Sequence, residues 1–416
     1  MPVKSVWVWL RRWWLYAGAG AIGLFILGAN VYFGLTAGDG LIMANKRLIA
    51  GDFMAFWSAG RMTLEGALDQ VHAARPIYEE QLRHAPGLDV VYLWHHPPTF
   101  LLVATSLAFL PYLAAAGLFF ALTAGIYALA TRTITTAPAA LFFAAMAPAS
   151  AMHFGNVQTG LLTAALAGLA LVMIDRRPIV AGALVGLFAI KPHLAVLYPL
   201  AFAAGGRWRA FAAAAVVTLG FVGVSFWAFG WGAWEAFFAN MAHAQSMVTE
   251  QKIAPGTYAT VFANLRGLGA PVWAAGLAHG ASAVLAAGAV FLVWRRGGGL
   301  YAGAVLAAAS TLMSPYLFFY DLTLFLVAGG LIVRQAGGWS ALQRWEQTVV
   351  AYGWIAPGLL FSVGHVAPLP FAALAAWALI VVAARRALTP AETAPADQAP
   401  APPPSTAPQT PPPYPH

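Results

Sequence analysis

The sequence predicts an all-α polytopic membrane protein. Three observations carry that reading. Of 416 residues, 61% are hydrophobic and only 9% are charged, where a soluble domain carries about 25% charged residues. Apolar runs near twenty residues recur from one end to the other, and in hydrocarbon such runs must pair their own backbone groups, which makes them helices. Arginines stand singly or in pairs between the runs, as Arg176-Arg177, Arg295-Arg296 and Arg385-Arg386 do, which is the pattern of cytoplasmic loops. The net charge of +8 is therefore read as orientation, not as a nucleic-acid surface. There is no cysteine, so neither disulfides nor thiol chemistry enter.

The elements follow in order. Residues 1–35 hold Lys4, Arg11 and Arg12 before the run Trp13–Leu35. That run is too long for a signal peptide, so an uncleaved first helix leaving the cytoplasm is expected. Residues 36–96 form a polar interval with seven of the 14 acids: Asp39, Asp52, Glu65, Asp69, Glu79, Glu80 and Asp89. Phe53, Phe56, Trp57, Gly60, Met62 and Leu64 recur at helical spacing there, which predicts amphipathic helices lying along the outer interface. His95-His96-Pro97-Pro98 turns the chain back, with proline at a first turn where its missing N–H is not needed.

Residues 97–386 form the bundle. Between Thr99 and Ile174 lie four short apolar pieces, and an odd number must cross to place Arg176-Arg177 inside; which piece fails to cross is left open. The segment Ile179–Gly206 is interrupted at Lys191-Pro192-His193 and has basic flanks at both ends. Two half-length helices meeting at Lys191 satisfy both flanks, and such breaks occur where backbone lines a cavity. Phe211–Phe229 then exits, and residues 230–269 make a second outer loop. The runs to Arg296, Arg334 and Arg386 complete roughly ten to twelve spans with both termini inside. Residues 387–416 are rich in proline and alanine, and are expected to form a disordered cytoplasmic tail. No internal repeat is visible.

Ionisable residues within spans are costly and so mark function by default. Here they are Lys191, His193 and Asp321, with His153 and His365 beside them. Asp52 opens the outer interval at Gly51-Asp52-Phe53, where a catalytic carboxylate and a helix cap are both consistent with the pattern. A cavity open to the outer face would gather Asp52, His95, His96, Lys191 and Asp321. Each has a plainer alternative. Arg61 can pair with Glu65 one turn on, and Lys191 can snorkel. Asn156 can cap a helix end, Asp321 can hold hydroxyls in a packing contact, and the Phe53–Trp57 spacing can be interface burial. His95 and His96 point apart and lack an acidic ligand set, so neither a metal nor another cofactor is expected. Partners by composition are membrane lipids.

The ordered pieces Gly51-Asp52-Phe53 with Phe56-Trp57 and Ala59-Gly60-Arg61, His96-Pro97-Pro98, Leu110-Pro111-Tyr112, Gly155-Asn156-Val157-Gln158, Lys191-Pro192-His193, Arg207-Trp208-Arg209 and Ser314-Pro315-Tyr316 with Tyr320-Asp321 resemble glycosyltransferase family 87 of the GT-C class. Two positions depart from the family pattern: His96 stands where tyrosine is usual, and His193 where glutamine is. The resemblance implies a GT-C bundle with an outer helical loop, in a bacterial inner membrane, with its active site on the periplasmic side. It implies an inverting transferase taking a sugar, mannose by family weight, from a polyprenyl-phosphate donor to a lipid or glycan acceptor. Asp52 falls on the family's essential acid and would be general base. Lys191, His193 and Arg61 would bind the donor phosphate. His95, His96, Asn156, Gln158, Tyr316, Tyr320, Asp321 and Trp57 would line the substrate site. A transporter or flippase for a lipid-linked or small polar solute is the competing expectation, and a non-catalytic subunit of an envelope assembly a third.

Overall fold

A computed structural model describes residues 17–32, 40–43, 45–250, 257–364 and 366–389, with backbone alone for 242–245, 247 and 248. The N-terminal tryptophans, His365 and the Pro-rich tail lie outside these residues. Among the described residues the fold is helical, with only two isolated β-bridges, Ile42 with Leu48 and Tyr258 with Phe318.

The helices are α1 (Ala17–Tyr32), α2 (Phe53–Leu64), α3 (Ala74–His84), α4 (Pro98–Leu107), α5 (Tyr112–Ile134), α6 (Ala140–Met146), α7 (Pro148–Asn156), α8 (Gly160–Met173), α9 (Pro178–Gly186), α10 (Tyr198–Ala204), α11 (Trp208–Thr249), α12 (Val261–Gly267), α13 (Val272–Arg295), α14 (Gly299–Ser310), α15 (Leu324–Gln335), α16 (Arg344–Val363) and α17 (Phe371–Leu388). Four are long and apolar enough to cross a membrane: α5, α11 over Trp208–Met241, α13 and α17. With the shorter apolar helices around them, they make this a membrane protein.

Contacts between helix ends define a basic end. Arg207 pairs with Asp175, so α8 finishes where α11 begins. Trp294 lies against Gly205, and Ala387 against Gly298. Arg334 donates to the Thr133 and Ile134 carbonyls, and Arg386 holds Glu346 with two hydrogen bonds. The ends of α5, α8, α10, α13, α15 and α17 and the starts of α11, α14 and α16 thus gather with the arginines.

The short pieces run relative to this end. Helix α5 runs to the basic end, α6 and α7 return across a break at Ala147-Pro148, and α8 goes back. Helix α4, ten residues long, does not reach the basic end. Its start contacts the break near Lys191, since Thr99 donates to the Ala189 carbonyl at 2.6 Å. Its end meets the first outer interval, since the Trp57 indole donates to the Leu110 carbonyl at 2.9 Å.

The outer helices differ from the interfacial ones expected. Helix α2 is buried nearly all round. Gly60 lets it approach α4 so closely that a Cβ there would stand 2.3 Å from the Ala104 carbonyl oxygen. Phe53, Phe56, Trp94, Phe100 and Phe119 make a ring cluster with centroids 4.9 to 6.4 Å apart. This is a second core, separate from the helical one. Only α3 keeps an amphipathic pattern, burying Ile77, Glu80 and Gln81.

The second outer interval is also helical for half its length. Helix α11 bends at Gly230, with φ of 72°, and continues to Thr249. The bend is cheap because glycine carries no Cβ. The extension reaches the first interval through Asn240, which donates to His72 Nδ1 at 3.3 Å.

Candidate active site

The segment 178–206 breaks where its sequence says it must. Proline at 192 cannot donate its N–H into a continuing helix, and Lys191 takes φ −150° and ψ 65°. Short turns of 3-10 helix flank it, at Leu187–Ile190 and Pro192–Leu194. The break frees carbonyls that need donors in a poorly hydrated region. Thr99 takes that of Ala189, and His96 Nδ1 lies 3.3 Å from that of Ile190. Helix α9 runs parallel to α11, with Gly182 packed directly on the Ala210 backbone.

The Lys191 side chain turns inward. Its Nζ donates to Asp321 Oδ1 at 2.6 Å, to Asp321 Oδ2 at 2.8 Å and to Thr159 Oγ1 at 3.3 Å. It also lies 4.9 Å from the centroid of the Tyr320 ring. Lys191 is 5% exposed and Asp321 fully buried, so Lys191 does not snorkel and Asp321 holds an ammonium instead of hydroxyls. The turn Phe319–Thr323 that carries Asp321 is tied to the second outer interval by backbone pairing of Ala259 with Leu317.

Asp52 sits at the first position before α2, yet its side chain caps nothing. Its Oδ2 instead accepts from Gln158 Nε2 at 3.4 Å. The cap alternative is thereby corrected: the turn between α7 and α8 orients the carboxylate, not its own helix. That turn is strained, since Val157 has φ of 50°, a conformation costing a β-branched residue about 1–3 kcal/mol. It directs Gln158 to Asp52 and Thr159 to Lys191, so a continuous set of polar groups runs from one to the other.

The loop before Asp52 is held from two sides. The Tyr112 hydroxyl donates to the Ile49 and Ala50 carbonyls, both at 2.8 Å. Tyr92 packs onto Gly51, where a Cβ would stand 2.6 Å from its hydroxyl. Asp52 lies outside the spanning helices, and burial pushes its carboxyl up from 3.8 to about 6, against the lowering effects of Gln158, Lys191 and Arg47. Burial likewise pushes the Tyr92 phenol up to about 12, with Asp52 adding to it. His96, buried in the ring cluster beside Phe56 and Phe100, is held neutral by burial and by Lys191.

The structure therefore brings together Asp52, His96, Gln158, Lys191, Tyr320 and Asp321. His193 follows Pro192 in the same break and is within electrostatic range of Lys191, and His95 adjoins His96. Other candidates stand elsewhere. Arg61 donates to Glu65 at 2.8 Å and, nine residues along α2, is about 13 Å from Asp52 by helical rise. Trp57 is buried between His84 and Tyr112. Asn156 donates to the Met152 carbonyl at the end of its own helix, at 3.1 Å. Tyr316 lies at a separate hollow of about 290 Å³ with Phe262, Val272 and His279. Thr159, Tyr92 and Arg47 join the site only through the fold. Thr159 extends the Asn156-Val157-Gln158 motif, which was its one available signal.

Beside the break an apolar groove of about 380 Å³ lies between α9, α10 and α11, lined by Phe188, Ala189, Pro192, Val196, Thr218 and Leu219. Val196 and Leu219 are exposed on its outer side. The groove thus runs from the apolar surface to the residue next to Lys191.

The family model described as glycosyltransferase family 87 matches residues 94–315, more than half of the 416. The chain belongs to glycosyltransferase family 87. It is a glycosyltransferase, and its site must take a sugar donor and an acceptor. The matched region covers His96, Gln158, Lys191 and His193 and stops short of Asp52 and Asp321. No curated protein and no solved structure matches the chain.

Proposed function

We propose that this family 87 glycosyltransferase moves a sugar, mannose in the first instance, from a polyprenyl-phosphate donor to a lipid or glycan acceptor. The observation that carries the reading is the pairing of a half-buried carboxylate with a buried ammonium beside an apolar, outward-facing groove. The groove suits a prenyl chain, and its end at Pro192 would set the attached phosphate next to Lys191. Lysine serves as a point charge for phosphate, with His193 and Tyr320 alongside.

An acceptor hydroxyl attacks the anomeric carbon from the side opposite the phosphate. The glycosidic C–O bond breaks with its electron pair on the phosphate oxygen, and Asp52 takes the hydroxyl proton. Gln158 occupies Oδ2, which leaves Oδ1 for that proton. One displacement inverts the anomeric configuration. Charge grows on the phosphate in a poorly hydrated site, where a fixed cation counts most.

Purified protein in detergent with a short prenyl-phosphate mannose and an acceptor lipid tests this. Release of prenyl phosphate coupled to formation of an inverted glycoside is expected. In proteoliposomes, movement of the intact donor across the bilayer without cleavage would favour a flippase instead.

Activity should follow the Asp52 carboxyl. A base must be deprotonated, so a folded pKa near 6 predicts that kcat/KM falls about tenfold per pH unit below that point and levels off above it. A profile flat down to pH of about 4, the ordinary carboxylate range, would show that the base is not a carboxyl raised by burial, and a profile unchanged in Asp52→Asn would remove Asp52 from the base role.

The same reading places the site on the periplasmic side of a bacterial inner membrane. The arginine end faces the cytoplasm, both termini are inside, and roughly ten to twelve helices cross. With no native cysteine, single cysteines report orientation cleanly. Arg75 has an 89% exposed side chain and Arg296 is exposed at the basic end. An impermeant thiol reagent on intact cells should label Arg75→Cys and spare Arg296→Cys. The reverse pattern would invert the topology.

A further inference from the structure

Lys191, the group assigned to the donor phosphate, already has a counterion. Both Asp321 oxygens take hydrogen bonds from its Nζ, at 2.6 and 2.8 Å, and neither residue is open to solvent. A buried ion pair of this kind persists because removing either partner strands an uncompensated charge. An arriving phosphate therefore meets a lysine whose charge is already balanced.

The reaction changes the charge of that phosphate. The donor is a phosphodiester with one negative charge. Once the C–O bond breaks, the product is a phosphomonoester, whose second ionisation near pH 6 gives it roughly −1.5 to −2 at pH 7. A lysine without a counterion would hold this product more tightly than the substrate, and in a poorly hydrated site the difference is large. Product release would then limit turnover.

We propose that Asp321 sets the charge selectivity of the phosphate site, so that Lys191 accepts the singly charged diester and lets the more highly charged product go. Asp321 acts through Lys191, as a positioning residue, and touches no reacting atom. The proposal rests on the phosphate-linked donor of the preceding subsection. The other ionisable groups near Lys191 are Tyr320 on the turn that carries Asp321, His153 on α7, Asp52 before α2, His96 before α4 and His193 in the break itself. They are the same in the wild type and in Asp321→Asn, so comparing the monoester-to-diester ratio between the two proteins removes their contribution.

The probes are citronellyl phosphate, a product mimic, and citronellyl methyl phosphate, a diester mimic, used as inhibitors of the full-length protein in detergent. In the wild type, inhibition by the monoester relative to the diester should weaken as pH rises through about 6, where its second charge appears. In Asp321→Asn the monoester should bind about tenfold or more tighter relative to the diester, with kcat lowered more than kcat/KM. Asp321→Glu should restore the wild-type ratio.

Relative monoester inhibition that strengthens with pH in the wild type would overturn the proposal. So would a folded Asp321→Asn that shifts both compounds equally. If Asp321→Asn does not fold, the same pH comparison decides when measured as binding to Asp52→Asn, where the carboxyl near 6 no longer titrates alongside the probe. Should neither compound inhibit the wild type, the prenyl-phosphate donor itself is wrong. Inhibition without charge discrimination sinks only the role of Asp321.

Discussion

Asp52→Asn is expected to fold normally and to lose about 10²–10⁴-fold in kcat, the usual contribution of a general base. The fold should survive because the carboxylate contributes no side-chain cap to α2. The loop that carries it is held by the Tyr112 hydroxyl and by Tyr92 on Gly51, and an amide is the same size. Gln158 can rotate to keep a hydrogen bond with it. Prenyl phosphate release and a thermal melt on the same preparation check both halves. Turnover near the wild-type rate with an unchanged melt would end the assignment. A lost melt would show that the fold itself requires the carboxylate.

Lys191 presents the second large effect and a complication. Lys191→Ala should abolish detectable transfer, but it also strands Asp321, fully buried, at a cost of about 3–5 kcal/mol. Loss of activity in that variant mixes two causes. The pair of substitutions Lys191→Met with Asp321→Leu removes both charges, and replacing a buried ion pair by apolar groups of similar volume is often close to neutral for stability. That double variant should regain most of the melting temperature and remain inactive, with kcat/KM down by roughly 10²-fold or more from loss of the phosphate cation. Donor binding equal to wild type in the refolded double variant would remove Lys191 from the phosphate site.

What the sequence disclosed depended on the range of the interaction. The break at Lys191 was legible because its causes are local: Pro192 lacks an N–H, and both flanks carry arginines that must stay on one side. Asp52 stood out because acids are scarce. Its orienting partner was not legible, since Gln158 is 106 residues away and nothing in Gly-Asp-Phe points there. The same holds for Lys191 and Asp321, which were both candidates but were not read as a pair 130 residues apart.

Local pattern also misled in definite ways. An apolar run buried under protein and one buried in lipid look alike in sequence. This is why the spacing in α2 predicts an interfacial helix, and why the sequence of α4 looks like that of a spanning piece. The aromatic and polar residues of 231–249 lack a clean period and predict a loop, yet they continue α11 beyond Gly230. Arg61 behaves as its nearest neighbours dictate and pairs with Glu65 one turn away, apart from Asp52 and Lys191.

The central claim is that a prenyl-linked phosphate sits on Lys191 while the sugar it carries faces Asp52. A density map of the protein with a non-hydrolysable prenyl-phosphate sugar bound measures this directly. The expected map shows a phosphate oxygen within about 3 Å of Lys191 Nζ, the prenyl chain in the groove between α9, α10 and α11, and the anomeric carbon between the phosphate and Asp52 Oδ1. A phosphate bound elsewhere, with Lys191 and Asp321 untouched and Asp52 remote from the sugar, would contradict it.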